Sequence, residues 1–177
     1  RFRGHFYCVV REGDDHSPRE PEAGGKIRVI RSRHGGSWES VAVFEKPWLD
    51  FRDPKISVTP DDRLMVSFSG ADWEFTEDGR DVVGGEPYVS FSGGDGTDFA
   101  RARRVDVDPA ISSRKDWLWR VTWNGRDAFG VVYQPESGYA LHLVRSSGGR
   151  SYSLVSTLEV SGRPNDVVDR LLASDPD

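Results

Sequence analysis

Apolar residues along this chain recur mostly with a period of two, in short runs, and the period of a helix is nearly absent. Leu64, Val66 and Phe68 alternate with Met65, Ser67 and Ser69, so one face packs inward while the other meets solvent or a neighbouring sheet. Runs of this kind predict strands over residues 6–10, 26–32, 40–44, 55–59, 63–69, 87–91, 100–107, 117–123, 128–133, 140–145 and 153–158. Each is rich in Val, Ile, Phe, Trp, Tyr or Thr and bounded by Gly, Pro, Asp or Asn. Pro60-Asp61-Asp62, Asp78-Gly79, Asn124-Gly125 and Gly148-Gly149 supply tight turns between them, which predicts meandering antiparallel sheet. Residues 14–25 read as a loop, and residues 71–85 as a long loop with room for a small hairpin. Beyond Pro164, the residues Val167, Val168, Leu171 and Leu172 fit either a helix or a strand over 167–173; the preceding repeats favour the strand.

One turn is written three times. It reads Ser32-Arg33-His34-Gly35-Gly36-Ser37-Trp38, then Ser92-Gly93-Gly94-Asp95-Gly96-Thr97-Asp98-Phe99, then Ser146-Ser147-Gly148-Gly149-Arg150-Ser151-Tyr152. The aromatic positions lie 61 and then 53 residues apart, the length of one supersecondary unit copied along the chain. Aligned on that turn, each unit reads as strand, turn, strand, longer loop, strand, aromatic turn, strand, which is the plan of one propeller blade. The fold expected is all-β, a partial β-propeller of about three four-stranded antiparallel blades over residues 1–49, 50–112 and 113–162. The first unit lacks its opening strand, and residues 163–177 open a further blade or close the first. The first and last residues suggest a section of a longer propeller.

Composition removes several classes of function. Twenty-four Lys and Arg against 29 Asp and Glu, a formal charge of −5, supply no basic stripe for a phosphate backbone, so no nucleic-acid partner is expected. The single cysteine, Cys8, lies in an apolar run and reads as a core thiol; it offers neither an internal disulfide nor a cysteine metal cluster. Apolar runs of about five residues fall far short of the roughly 18 that span a bilayer as a helix, so a soluble chain without a membrane partner is expected. Its compartment is left open. Asp14-Asp15-His16 offers two carboxylates and an imidazole, an arrangement that also suits a solvated loop; no metal and no cofactor are assigned.

In the repeated turn, the Ser hydroxyl can bond backbone groups, Gly permits a positive φ, and the aromatic ring tucks between adjacent sheets. These turns resemble the Asp-box, or BNR repeat, of sialidases and related six-bladed propellers. Asp95 keeps the aspartate of that box, while His34 and Gly148 replace it in the other copies. Four further segments follow the order found in bacterial sialidase-like propeller proteins: Phe6 to Gly13 with His16, Asp50-Phe51-Arg52-Asp53-Pro54-Lys55, residues 117–123, and Arg163-Pro164-Asn165-Asp166. In that group the last motif usually ends in Glu where Asp166 stands. The resemblance implies a glycan-directed pocket at the propeller mouth. It also implies that several sialidase catalytic groups come from the half of a propeller that three blades do not include.

Blade geometry selects overlapping residues. Charged side chains at the start of innermost strands converge on one mouth of the central channel. Arg11, Arg52 and Arg120 are candidates to hold an anionic sugar through paired charge-assisted hydrogen bonds, with His16 and Lys55 beside them. Asp53 and Asp166 are the candidate catalytic carboxylates if their separation suits glycoside hydrolysis, and Asn165 would orient the substrate or its water. Trp119, with its neighbours Trp117 and Trp123, either stacks on a sugar face or packs between blades. The arginines equally suit blade-to-blade ion pairs. Two functions follow as expectations: hydrolysis or binding of an acidic glycan at the mouth, or a non-catalytic glycan-binding or assembly module that closes a ring by self-association.

Overall fold

The structure, a computed structural model, describes residues 1–134 and 140–159. Twelve strands make three sheets. The first holds β1 (Phe6–Glu12), β2 (Lys26–Ser32) and β3 (Glu39–Phe44) in that order. The second holds β4 (Asp50–Val58), β5 (Leu64–Thr76), β6 (Gly79–Phe91) and β7 (Arg103–Arg104). The third runs from β9 (Trp117–Asn124) through β10 (Asp127–Tyr133) and β11 (Ala140–Ser146) to β12 (Ser151–Glu159), with β8 (Asp106–Val107) added in parallel at its outer edge. Successive strands pair antiparallel within each sheet, as the hairpin turns require.

The sheets stack face to face, and the middle one is buried on both sides. Ile27, Val29 and Phe44 of the first sheet meet Phe51, Val66, Phe68 and Tyr88 of the second in one core. Met65, Val89 and Phe91 of the second meet Leu118, Val121, Val132, Val144 and Tyr152 of the third in another. Strict alternation on β5 therefore serves two cores: Val66 and Phe68 face the first sheet, Met65 the third. Phe51, Phe68 and Tyr88 add tilted, edge-to-face and stacked ring contacts at 4.8–6.1 Å between centroids. At the other edge of the array of contacts, β4 touches both β1 and β9.

Two of the predicted elements need correction. The predicted loop over residues 71–85 is instead the far half of a long hairpin, paired from Ala71↔Gly85 to Thr76↔Gly79 with a one-residue shift between Asp72 and Trp73. Cross-strand pairs Trp73↔Val82 and Phe75↔Arg80 carry the ladder outward past the region the turn signals suggested. The single strand predicted over 100–107 is broken into β7 and β8, which join different sheets. Val105 between them is 1% exposed and packs in the core shared by the second and third sheets, so the chain crosses from one sheet to the next there. The fold over 163–177 lies outside the described residues.

The repeated turns behave as a folding device. Ser32 Oγ accepts a hydrogen bond from the Gly35 amide at 2.8 Å, and Ser146 Oγ accepts the equivalent bond from Gly149 at 2.8 Å. The middle turn closes differently, with Asp95 accepting from the Thr97 amide and hydroxyl. Phe99 packs edge-on to Phe44 of the first sheet, and Tyr152 is buried against the second. Trp38 departs from the expected tucked position: it is 44% exposed and its indole N–H bonds the Gly35 carbonyl. Each of the other two rings leans on the preceding sheet, and no described sheet precedes the first.

Candidate functional site

β4 opens at Asp50, whose carboxylate is fully buried and is the hub of the mouth. Oδ1 accepts from Arg11 Nη2 at 2.7 Å, Arg11 Nε at 3.2 Å and the Gly25 amide at 2.8 Å. Oδ2 accepts from the Trp73 indole at 3.3 Å and faces Arg52 Nε at 3.4 Å. A side chain at residue 25 would collide, because a Cβ there would lie 2.5 Å from Arg11 Nε and 2.6 Å from Asp50 Oδ1. Glycine is therefore required for the backbone to come close enough to donate. Arg11 Nη1 also donates to the Asp15 carbonyl and Arg52 Nη2 to the His16 carbonyl, which ties the 14–25 loop to β4. Arg11 thus spans from the first sheet to the second, and both guanidinium groups are mainly committed to Asp50.

Three residues on, the strand slips. Arg52 pairs with Ser69 but Lys55 pairs with Ser67, so one residue is extra and a bulge forms. Asp53 sits in it with φ 52°, a left-handed conformation uncommon for a residue with a side chain, followed by Pro54, which has no N–H to donate. Its exposed carboxylate has no hydrogen-bond or ion-pair partner among the described residues. Lys55 is half-buried with Nζ 4.2 Å from the centroid of the Trp119 ring. Burial lowers its pKa, and the charge of Asp53 opposes that shift. The Tyr133 ring meets Trp119 edge-on at 6.3 Å; burial first, then the Asp53 charge, pushes its phenol up to about 12 while Arg52 pulls the other way.

Trp119 and Arg120, both exposed, line with Lys55 an open groove of about 720 Å³ whose opposite wall is Tyr7, Cys8 and Val9 of β1. Cys8 is half-buried on that wall rather than in a core. Arg120 carries no ion pair among the described residues. Around the mouth and groove stand four cations, Arg11, Arg52, Lys55 and Arg120, against two carboxylates, Asp50 and Asp53. The structure thus gathers Arg11, Arg52, Asp53, Lys55, Trp119 and Arg120 along neighbouring edges of β1, β4 and β9. It brings the backbone of His16 to the mouth, with its imidazole exposed and unpartnered among the described residues. Asn165 and Asp166 lie outside the described residues.

Sequence reasoning missed Asp50 as the hub, Gly25, Trp73 and Tyr133. Trp73 was hidden by the loop reading of 71–85. Tyr133 carried a usable signal, since it lies opposite Trp117 on the hairpin that also presents Trp119. Among the described residues, no group of three or more His, Cys, Asp or Glu is arranged to hold a metal.

No family model matches the chain, and no curated protein does. Solved structures do. Exo-inulinase from Aspergillus awamori superposes with a TM-score of 0.57 at 11% identity, covering 89% of this chain and 36% of that one. Fructofuranosidase from Schwanniomyces occidentalis complexed with fructose gives 0.54 at 11% identity over 88% of this chain and 32% of that one. The β-fructofuranosidase of the same organism complexed with fructosyl-erythritol gives the same values. At this identity the likeness speaks for the fold, which is all-β and a partial β-propeller. The chain spans about a third of the length of these neighbours.

Proposed function

We propose that the chain is the glycan-recognising part of a sialidase-like propeller and that it holds an acidic sugar where β4 and β9 face β1. The observation that carries this reading is the Asp53 bulge: an exposed carboxylate that among the described residues has no hydrogen bond or ion pair, held in a left-handed conformation beside a half-buried Lys55 that lies over Trp119 and feels the Asp53 charge. Lys55 and Arg120 would take the sugar's carboxylate, Trp119 its apolar face, and Asp53 its hydroxyls or the reacting proton. Arg11 and Arg52 would act chiefly through Asp50, fixing the strand that presents Asp53. The repeated serine turns support the sialidase-like assignment, and the neighbours' names, exo-inulinase and fructofuranosidase, support carbohydrate as the ligand class.

Hydrolysis would need a second carboxylate. Asp50 is saturated by four hydrogen bonds and the Arg52 ion pair, so Asp166 remains the candidate partner of Asp53. Calorimetric titration with N-acetylneuraminic acid and glucuronic acid tests recognition, and Lys55→Met should weaken the tighter ligand about tenfold, the order expected for a charge-assisted bond. Release of a chromophore from a sialoside or a uronide, lost in Asp53→Asn, tests turnover. Acid sugars that bind no better than glucose would sink the recognition reading.

A second reading is favoured by one feature. The first sheet ends at β1, whose inner edge has no strand beside it among the described residues, whereas the second and third sheets carry β4 and β9 in the matching position. A second copy supplying that strand would make the chain an assembly module. A solution mass of two chains by sedimentation, with no acid-sugar binding, would favour it.

A further inference from the structure

Residues 46–49 form a tight turn closed by the Leu49 amide on the Lys46 carbonyl at 3.3 Å. Pro47 stands second and Trp48 third, with φ 67° at Trp48. Those are the marks of a type II turn, whose third position ordinarily takes Gly or Asn because a side chain there is strained. Both flanks are pinned: Lys46 Nζ bonds the Tyr88 hydroxyl at 3.1 Å, and Leu49 packs against the core of the first two sheets. Trp48 is the member left outside. It is 64% exposed, and among the described residues its indole has no hydrogen bond, ring contact or cation partner. Folding gains nothing visible from an indole there, and a glycine would hold the turn with less strain.

The ring borders two clefts. A slot of about 250 Å³ is walled by Trp48, Trp73, Phe75, Pro18 and Pro21 and reaches Asp50 at its base. A wider cleft of about 570 Å³ carries Asp14, Glu22 and Glu45, none of them in an ion pair among the described residues. Its two lysines are engaged, Lys26 near Glu12 at 3.9 Å and Lys46 at Tyr88. Aromatic faces beside a cleft with four carboxylates, Glu12, Asp14, Glu22 and Glu45, against two lysines disfavour an anion and suit a neutral, hydroxyl-rich ring: C–H groups on the indole, hydroxyls on the carboxylates. The slot is continuous with the mouth, because the Trp73 ring that lines it carries Arg52 over its face at 5.7 Å and donates to Asp50.

We infer that Trp48 is the platform of an outer subsite that takes a neutral sugar unit, next to the inner site for the acidic one. The preferred ligand is then an acidic sugar attached to an uncharged one, not a polyanionic chain. The inference rests on the proposed mouth for the identity of the inner sugar alone.

The test follows the indole N–H of Trp48 by nitrogen-edited NMR, assigned through Trp48→Gly, while lactose, cellobiose, glucosamine, N-acetylneuraminic acid and sialyllactose are added. Lactose or cellobiose should move that signal, and Trp48→Gly should bind sialyllactose about tenfold more weakly, as loss of one stacking surface implies, with N-acetylneuraminic acid unchanged. Trp48→Gly should also melt at a higher temperature than the parent, since glycine relieves the turn, which shows that lost binding is not lost fold. A Trp48 signal that ignores both neutral disaccharides, a response to glucosamine alone, or an unaltered sialyllactose affinity in the variant each overturns the subsite. Failure of the inner site looks different: N-acetylneuraminic acid does not bind, yet the neutral disaccharides still move Trp48.

Discussion

Two aspartates three positions apart on β4 have opposite duties. Asp50 is inaccessible and satisfies Arg11, Arg52, Trp73 and the Gly25 amide; Asp53 is exposed and satisfies nothing in the described chain. Asp50→Ala would strand two guanidinium groups and two N–H donors, and should lower stability by about 3–5 kcal/mol in urea denaturation, as expected for removing one side of a buried ion pair. Asp53→Asn, which keeps a residue tolerant of the left-handed conformation, should stay within about 0.5 kcal/mol while altering sugar binding. Sequence showed that this run was charged and led into an inner strand, which was enough to point at Arg52, Asp53 and Lys55. It did not show which aspartate would be buried, because that depends on Gly25 approaching from a loop 25 positions earlier in the chain.

At the level of elements, the strands and their turns were largely readable, since alternation and Gly, Asn, Asp or Pro punctuation act locally. The hairpin of β5 and β6 was read too short because Trp73, Phe75 and Val82 are interleaved with charged residues that look like loop. The crossing at Val105 was illegible for another reason: which sheet a two-residue strand joins is decided by partners far away, Tyr88 and Val89 for β7 and Ser151 and Tyr152 for β8. The serine turns show a local rule with a non-local cost. Gly149 has φ 71°, and a Cβ there would lie 2.9 Å from Met65 Sδ and 3.3 Å from Phe91 Cζ of the second sheet. Gly149→Ala should destabilise by about 1–2 kcal/mol, from the left-handed backbone and that contact. Gly148→Ala, where a Cβ meets nothing within 4 Å, is the matched control and should be near neutral in the same thermal melt.

For the molecule as a whole, alkaline stability should show two opposed slopes. Lys55 has a pKa lowered by burial from the ordinary 10.5, so in the window just below 10.5 the unfolded chain binds more protons and stability rises with pH. Tyr133 has its phenol pushed up to about 12, so between about 10 and 12 the folded chain keeps a proton the unfolded chain releases, and stability falls as pH rises. Thermal midpoints followed across this range should lose part of the rise in Lys55→Met and part of the fall in Tyr133→Phe. The stacking of sheets has a directional consequence too. Phe99 leans back on the first sheet and Tyr152 on the second, so the second and third units each bring the plug and the unit before them the socket. Such an array is polar, like bricks with studs on one side only: reversing the order of two units would leave plug and socket unmatched, and Trp38 is the stud that stands half out, with no described sheet before it.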